Sequence, residues 1–170
     1  MIGEPLFDAD SIAQRVAEIG AAISRDYAGK LPLMIGLLSA ASVFLADLAR
    51  AVTIPCHLDF ISLSEYGDGD GIAVDKDSAL PVEGRHVILV DDTVDTGLTL
   101  QYVYRTLMDR RPASLAVCTL LDRPQRRIVD IEIKYRAFEV PDVFVVGYGL
   151  DYRGRYRELP ALYAHGTWPA

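Results

Sequence analysis

The chain has 170 residues, 51% of them hydrophobic and 24% charged, with a net charge of -7. That composition excludes a disordered chain, and the length predicts a single domain, residues 1–170, able to bury its core without disulfides or structural metal. An acidic chain with no basic stripe is not built for nucleic acid, whose affinity rests on phosphate neutralisation, and no apolar stretch is long enough for a membrane span.

In chain order, Ile12, Val16, Ile19 and Ile23 fall on one helical face, with Asp8, Asp10 and Ser11 as N-cap candidates and Gly29 as a stop. Leu33 to Leu38 is a short apolar run, expected as a buried strand. The small residues Ser39 to Ser42 follow, then a helix from Val43 to Arg50, then a strand from His57 to Leu63. The Gly- and Asp-rich stretch Ser64 to Gly71 predicts a mobile loop, with a strand over Ile72 to Val74 after it. His86 to Val90 is the strongest strand pattern. The sequence then predicts a turn over Asp91 to Gly97, a helix from Leu98 to Asp109, and strands over Ser114–Leu121, Ile131–Phe138 and Phe144–Tyr148. Strands alternating with helices predict an α/β fold with a mainly parallel central sheet flanked by helices, and a ligand site beyond the carboxyl ends of its strands. Cys56 and Cys118 lie in apolar segments and read as buried free thiols. With no CxxC spacing, structural zinc is not expected. The N-terminus has no basic region followed by an apolar run, so a cytoplasmic protein is expected.

The segment that carries chemistry is Val87-Ile-Leu-Val-Asp91-Asp92-Thr93-Val94-Asp95-Thr96-Gly97-Leu98-Thr99. An apolar strand ends in two adjacent acids, and a Thr/Gly-rich turn opens a helix. Amides and hydroxyls at a helix N-terminus suit a phosphate monoester, and paired carboxylates can accept hydrogen bonds from a vicinal diol. Together they describe a cradle for ribose 5-phosphate. The loop is not of the Walker kind, since no Gly-Lys-Ser/Thr is present.

This segment resembles the phosphoribosyl diphosphate (PRPP) motif of the phosphoribosyltransferases, most of all the hypoxanthine-guanine branch. The likeness spans nearly the whole chain, through Glu18-Ile19-Gly20, Asp26-Tyr27-Ala28-Gly29, Phe44-Leu-Ala-Asp47, Leu120-Leu-Asp-Arg-Pro124, Phe138-Glu-Val-Pro141 and Phe144-Val-Val-Gly-Tyr-Gly-Leu-Asp151. The resemblance implies a type I phosphoribosyltransferase fold with a small hood built from the N- and C-terminal segments. It also implies transfer of a purine base to PRPP, Mg²⁺ as cofactor, and a homodimer or homotetramer. By the same resemblance, Asp91 and Asp92 hold the ribose hydroxyls, and Asp95 handles the N7 proton of the base. Thr93, Asp95, Thr96, Gly97 and Thr99 surround the 5-phosphate. Ser39, Ala40 and Arg157 meet pyrophosphate, and Tyr66 closes over the transition state. Arg123, Phe144, Val145 and Asp151 belong to the base site, while Asp91, Asp92 and Asp151 serve the metal.

The chain departs from the family pattern at three places. The pyrophosphate loop reads Leu38-Ser39-Ala40-Ala41 where the family has a Leu-Lys-Gly-Ser type, so a cation and a Gly are lost. Arg123 stands where a Lys usually reads the 6-oxo group. Glu65 precedes Tyr66 where Ser is usual. These changes leave open a preference for xanthine or a modified purine, and a non-catalytic PRPP- or nucleotide-sensing protein.

Overall fold

The structure is a computed structural model and describes residues 4–66 and 71–166, apart from the side chains of residues 65 and 66. After a short strand β1 (Pro5–Phe7), helix α1 runs over Ala9–Asp26, capped by Asp8, whose carboxylate accepts the Ser11 N–H at 2.8 Å. Its buried stripe is the expected one: Ile12, Val16, Ile19 and Ile23. Strand β2 occupies Leu33–Leu38 and helix α2 Ala41–Ala51. Strands β3 (His57–Tyr66) and β4 (Gly71–Lys76) follow, then β5 (His86–Val94), α3 (Leu98–Met108), β6 (Ser114–Asp122) and β7 (Tyr135–Glu139). Short strands β8 (Val145–Val146) and β9 (Leu162–Ala164) complete the fold.

The main sheet has the order β4-β3-β2-β5-β6-β7, parallel except for β4. Successive side chains of its strands point to opposite faces, and the sequence makes both faces apolar. Met34, Ile88, Val90, Cys118 and Leu120 meet α1 and α2 on one face. Leu33, Ile35, Val87, Leu89 and Val117 meet Leu100, Val103 and Leu107 of α3 on the other. Full burial of such a Leu, Ile or Val contributes about 1.5–3 kcal/mol each, which is why β2 and β5 form the rigid centre. A second sheet, ordered β1-β9-β8, joins the two ends of the chain and forms the expected hood. Among the described residues no helix is long and apolar enough to cross a membrane.

The structure corrects four sequence-based expectations. Residues 64–66 are not loop: β3 continues to Tyr66 and pairs with β4, Ser64 facing Ala73 and Glu65 facing Ile72. Backbone pairing overrides the polar composition there, and the turn itself, residues 67–70, lies outside the described residues. The stretch from Asp91 to Val94 is not turn but the end of β5, held by β6 through Asp91–Thr119 and Val94–Asp122. The strand expected over Ile131–Phe138 begins only at Tyr135, because Ile131 and Ile133 pack onto the α3-side core instead of continuing the ladder. The strand expected over Phe144–Tyr148 shrinks to two residues, since Gly147, Tyr148 and Gly149 all take positive φ.

Candidate active site

From β2 the chain crosses by α2 to β3 on one side, while β5 lies on the other. The carboxyl ends of β2 and β5 therefore flank a topological switch point, where open α/β sheets place their ligands. A cleft of about 230 Å³ opens there. The loop after β2 contributes Ala40, β5 and the following turn contribute Asp92, Thr93 and Asp95, and the end of β6 contributes Arg123. Phe144, Val145, Leu150 and Asp151 close the opposite wall. A larger cavity of about 640 Å³ lies between α1, α2 and residues 157–160, but its walls are mostly apolar, with Val16, Val43 and Leu159 among them. Convergent polar groups, not size, mark the site.

The acids of β5 are held in an unusual state. Asp91 is buried and accepts the Asp92 N–H at 2.9 Å, and its carboxyl is raised well above the ordinary range by burial first and by the neighbouring Asp92 charge second. Asp92 is partly open to the cleft and is raised as well, again by burial. Thr93 Oγ1 is buried with no hydrogen-bond partner among the described residues. Buried polar atoms are normally satisfied, so the Thr93 hydroxyl is open to a ligand.

Next to them, Thr96 to Thr99 form the entry of α3. Gly97 sits at φ 85°, and a Cβ there would stand 2.8 Å from Val129 Cγ2, so both backbone and space demand glycine. No side chain caps this helix beyond Thr96 Oγ1 accepting the Leu98 N–H at 3.3 Å, and no acid occupies its first turn. Its first amides and its dipole remain available to an anion. Arg127 pins the turn from behind, Nε donating to Asp95 O at 3.1 Å, while its guanidinium pairs with the buried Asp122.

Asp95 carries two arginines. Arg123 Nη1 stands 3.5 Å from Oδ2, and Arg126 Nε stands 3.1 Å from Oδ1. The Arg123 side chain is only 4% exposed, and its Nη2 donates to Val143 O at 2.7 Å. Burial lowers its pKa, and Asp95 opposes that shift. Phe144 meets Tyr152 and His165 edge to face, with ring centres 5.7 and 6.2 Å away. On the hood, Arg157 Nη2 pairs with Asp151 Oδ1 at 2.8 Å and its Nη1 donates to Gly149 O at 2.6 Å, while the Gly154 N–H caps the other Asp151 oxygen. A Cβ on Gly149 would stand 2.4 Å from Ala40 O, so the hood touches the loop after β2 through a glycine. The Leu38–Ser39 peptide bond in that loop is cis.

Of the residues singled out in the sequence, Ala40, Asp92, Thr93, Asp95, Arg123, Phe144, Val145 and Asp151 line one cleft. Asp91, Ser39, Thr96, Gly97 and Thr99 do not line it, although Asp91, Ser39 and Thr96 are next in sequence to residues that do, and Arg157 is tied to it by holding Asp151. Tyr66 ends β3, and its side chain lies outside the described residues. The sequence reading missed Arg126, Arg127, Tyr152 and His165. The run Arg123-Pro-Gln-Arg126-Arg127 was a visible signal for the first two. Nothing local points to His165, which reaches Phe144 only because β9 pairs with β8.

A family model for the phosphoribosyl transferase domain matches residues 4–153. A hypoxanthine phosphoribosyltransferase of Haemophilus influenzae is 40% identical over 161 residues, 91% of this chain and 90% of that protein. A hypoxanthine phosphoribosyltransferase of Salmonella typhimurium is 44% identical, covering 88% of this chain and 87% of its own length. The crystal structure of a hypoxanthine-guanine phosphoribosyltransferase from Bacillus anthracis superposes with a TM-score of 0.94 at 36% identity, covering 97% of this chain and 99% of that one.

Proposed function

The chain belongs to the phosphoribosyl transferase domain family, and from that premise we propose that it joins hypoxanthine or guanine to the ribose of PRPP, releasing pyrophosphate and the nucleoside 5'-monophosphate. The observation that carries this reading is the single cleft at the switch point where Asp92, Asp95, Arg123 and Phe144 converge.

In this reading the α3 entry, with Thr96, Gly97 and Thr99, receives the 5-phosphate. Asp91 and Asp92 accept hydrogen bonds from the ribose hydroxyls. Phe144 stacks on the base, a contact worth about 1–3 kcal/mol. The Val145 backbone meets the base edge, and Arg123 donates to the 6-oxo group from its buried place. As the bond from C1 of the ribose to the diphosphate breaks, charge builds on the sugar and on the leaving group. Arg157 and the amides around Ser39 and Ala40 stabilise the diphosphate. The base nitrogen attacks C1 while Asp95 holds or accepts the N7 proton. Tyr66, the last residue of β3, would close over the transition state and exclude water.

Asp92 and Asp151 line the same cleft, yet among the described residues no cluster of three ligands forms a metal cage. That donor set fits Mg²⁺, which is commonly bound by one or two carboxylates together with substrate phosphates. Asp91, Asp92 and Asp151 would hold it against PRPP, and it would supply charge neutralisation at the departing diphosphate. A cytoplasmic setting accords with a substrate as highly charged as PRPP. Assembly as a homodimer or homotetramer belongs to the same proposal.

The test is a base panel with PRPP and Mg²⁺, following pyrophosphate and nucleotide. Turnover with hypoxanthine or guanine is expected. Turnover with xanthine alone would make Arg123 a change of specificity, and PRPP binding without turnover on any base would replace the enzyme by a sensor.

A further inference from the structure

Two arginines join the loop that carries Asp95 to the segment that carries Phe144. Arg126 sets Nε 3.1 Å from Asp95 Oδ1 and Nη1 3.1 Å from Asp142 Oδ1. Arg123 sets Nη1 3.5 Å from Asp95 Oδ2 and donates Nη2 to Val143 O at 2.7 Å. Each carboxylate oxygen of Asp95 thus faces one guanidinium, and each guanidinium has a second arm on residue 142 or 143, immediately before Phe144. The result is a closed ring across the cleft wall.

Arg126 owes nothing of its own position to this ring. It ends a 3-10 turn, Pro124–Arg126, whose backbone bonds run from Arg126 N to Arg123 O and from Arg127 N to Pro124 O, while Arg123 N donates to Val94 O. The turn therefore stands without the Arg126 side chain. The Arg126 and Asp95 side chains are each 30% exposed and Asp142 is 59% exposed, so the inner contact is less screened by solvent than the outer one. The inner contact is an ion pair, since Asp95 Oδ1 accepts no hydrogen bond among the described residues, while the outer one is a hydrogen bond from Arg126 Nη1 to Asp142 Oδ1.

We propose that Arg126 is a positioning residue: it fixes the orientation of the Asp95 carboxylate and, through Asp142, ties the placement of the Phe144 segment to it. The proposal rests on the reading above, in which Asp95 handles the base proton and Phe144 stacks on the base. Proton handling depends on geometry, and displacement of a reacting group by about 1 Å can cost about 100-fold in rate.

The experiment compares wild type with Arg126→Gln, Arg126→Lys, Asp142→Asn and the Arg126→Gln/Asp142→Asn pair. In Arg126→Gln, kcat is expected to fall about 10- to 100-fold with KM for PRPP within about twofold of wild type. Arg126→Lys should recover part of the loss. Asp142→Asn should cost less than Arg126→Gln, and the pair should be no worse than Arg126→Gln alone, since both remove one connection. Amide hydrogen exchange on the substrate-free protein supplies a readout independent of turnover: residues 95–97 and 142–144 should lose protection together in Arg126→Gln. An unchanged kcat, a parallel rise in KM for PRPP, or loss of protection in one segment alone would overturn the proposal. A wild-type protein that turns over no base strikes the parent reading instead, and the exchange measurement still decides whether the ring couples the two segments.

Discussion

Asp59 on β3 and the Asp91–Asp92 pair on β5 are acids of one sheet, on the two strands that flank β2, and the protein treats them in opposite ways. The Asp59 carboxylate accepts the Phe60 and Leu80 amides at 2.8 Å each and the Ser78 hydroxyl at 2.7 Å, with Lys76 at 3.4 Å. Burial pushes its pKa up, but these bonds outweigh burial and hold it at about 2. Asp91 has one amide, from its own neighbour, and both acids of the pair are raised by burial, Asp91 also by the Asp92 charge. A carboxylate that the fold satisfies is structural. A pair that burial holds at raised pKa at a switch point is poised for a ligand's hydroxyls and cation. The difference also explains why Asp59 ties the β3–β4 region together while the β5 acids tie nothing.

The largest break in the comparison is expected beyond the β5 pair, at Asp95. Asp95→Asn should lower kcat about 1,000-fold, within the range for loss of a general acid or base, with PRPP affinity little changed. Steady-state kinetics beside PRPP titration would show this, and near-normal turnover would remove Asp95 from its role. Asp59→Ala should leave the cleft intact but cost about 3 kcal/mol of stability, because two amides, a hydroxyl and an ammonium lose their partner. Denaturant unfolding measures it. The pH response should separate the two acids by sign. With its folded pKa at about 2 against the ordinary 3.8, Asp59 contributes stability that is full above pH 4 and lost as pH falls through 2, about 2 kcal/mol in all. Asp59→Asn should flatten the stability profile in that window. The raised β5 pair acts oppositely: its penalty is full only above the raised folded pKa and is relieved as pH falls from there toward the ordinary carboxylate range. The smallest effect follows, since Asp92→Asn should stabilise the ligand-free protein at pH 7 by about 1 kcal/mol, measured with chelator present, while weakening PRPP binding. Destabilisation by that change would mean that the pair is structural after all.

The elements with a strong local period were legible. The α1 stripe of Ile12, Val16, Ile19 and Ile23, the apolar runs of β2 and β5 and the helix after Gly97 lie where the sequence put them, because burial of one face or of both is written in the side chains themselves. Strand ends were less legible. Tyr66 and Val94 belong to strands because partners across the sheet complete their backbone bonds, and the partner is not visible locally. Within the cleft, the acids of the Asp91 to Asp95 motif and the aromatic Phe144 could be named from sequence. Arg126 had a signal in the Arg-rich run after Arg123 but no visible partner, and His165 had none, since each acts on a residue far along the chain.

The sequence by itself determined the α/β architecture, the family and the residue types available for a ribose phosphate, because periodicity and motif spacing are local properties. Only the tertiary structure decided which of those residues share a cleft, that Asp151 and Arg157 hold each other, and that Asp59 is lowered while Asp91 is raised. These outcomes depend on strand order and on loops meeting across it, and hydrogen-bond satisfaction is a property of the assembled neighbourhood, not of the residue.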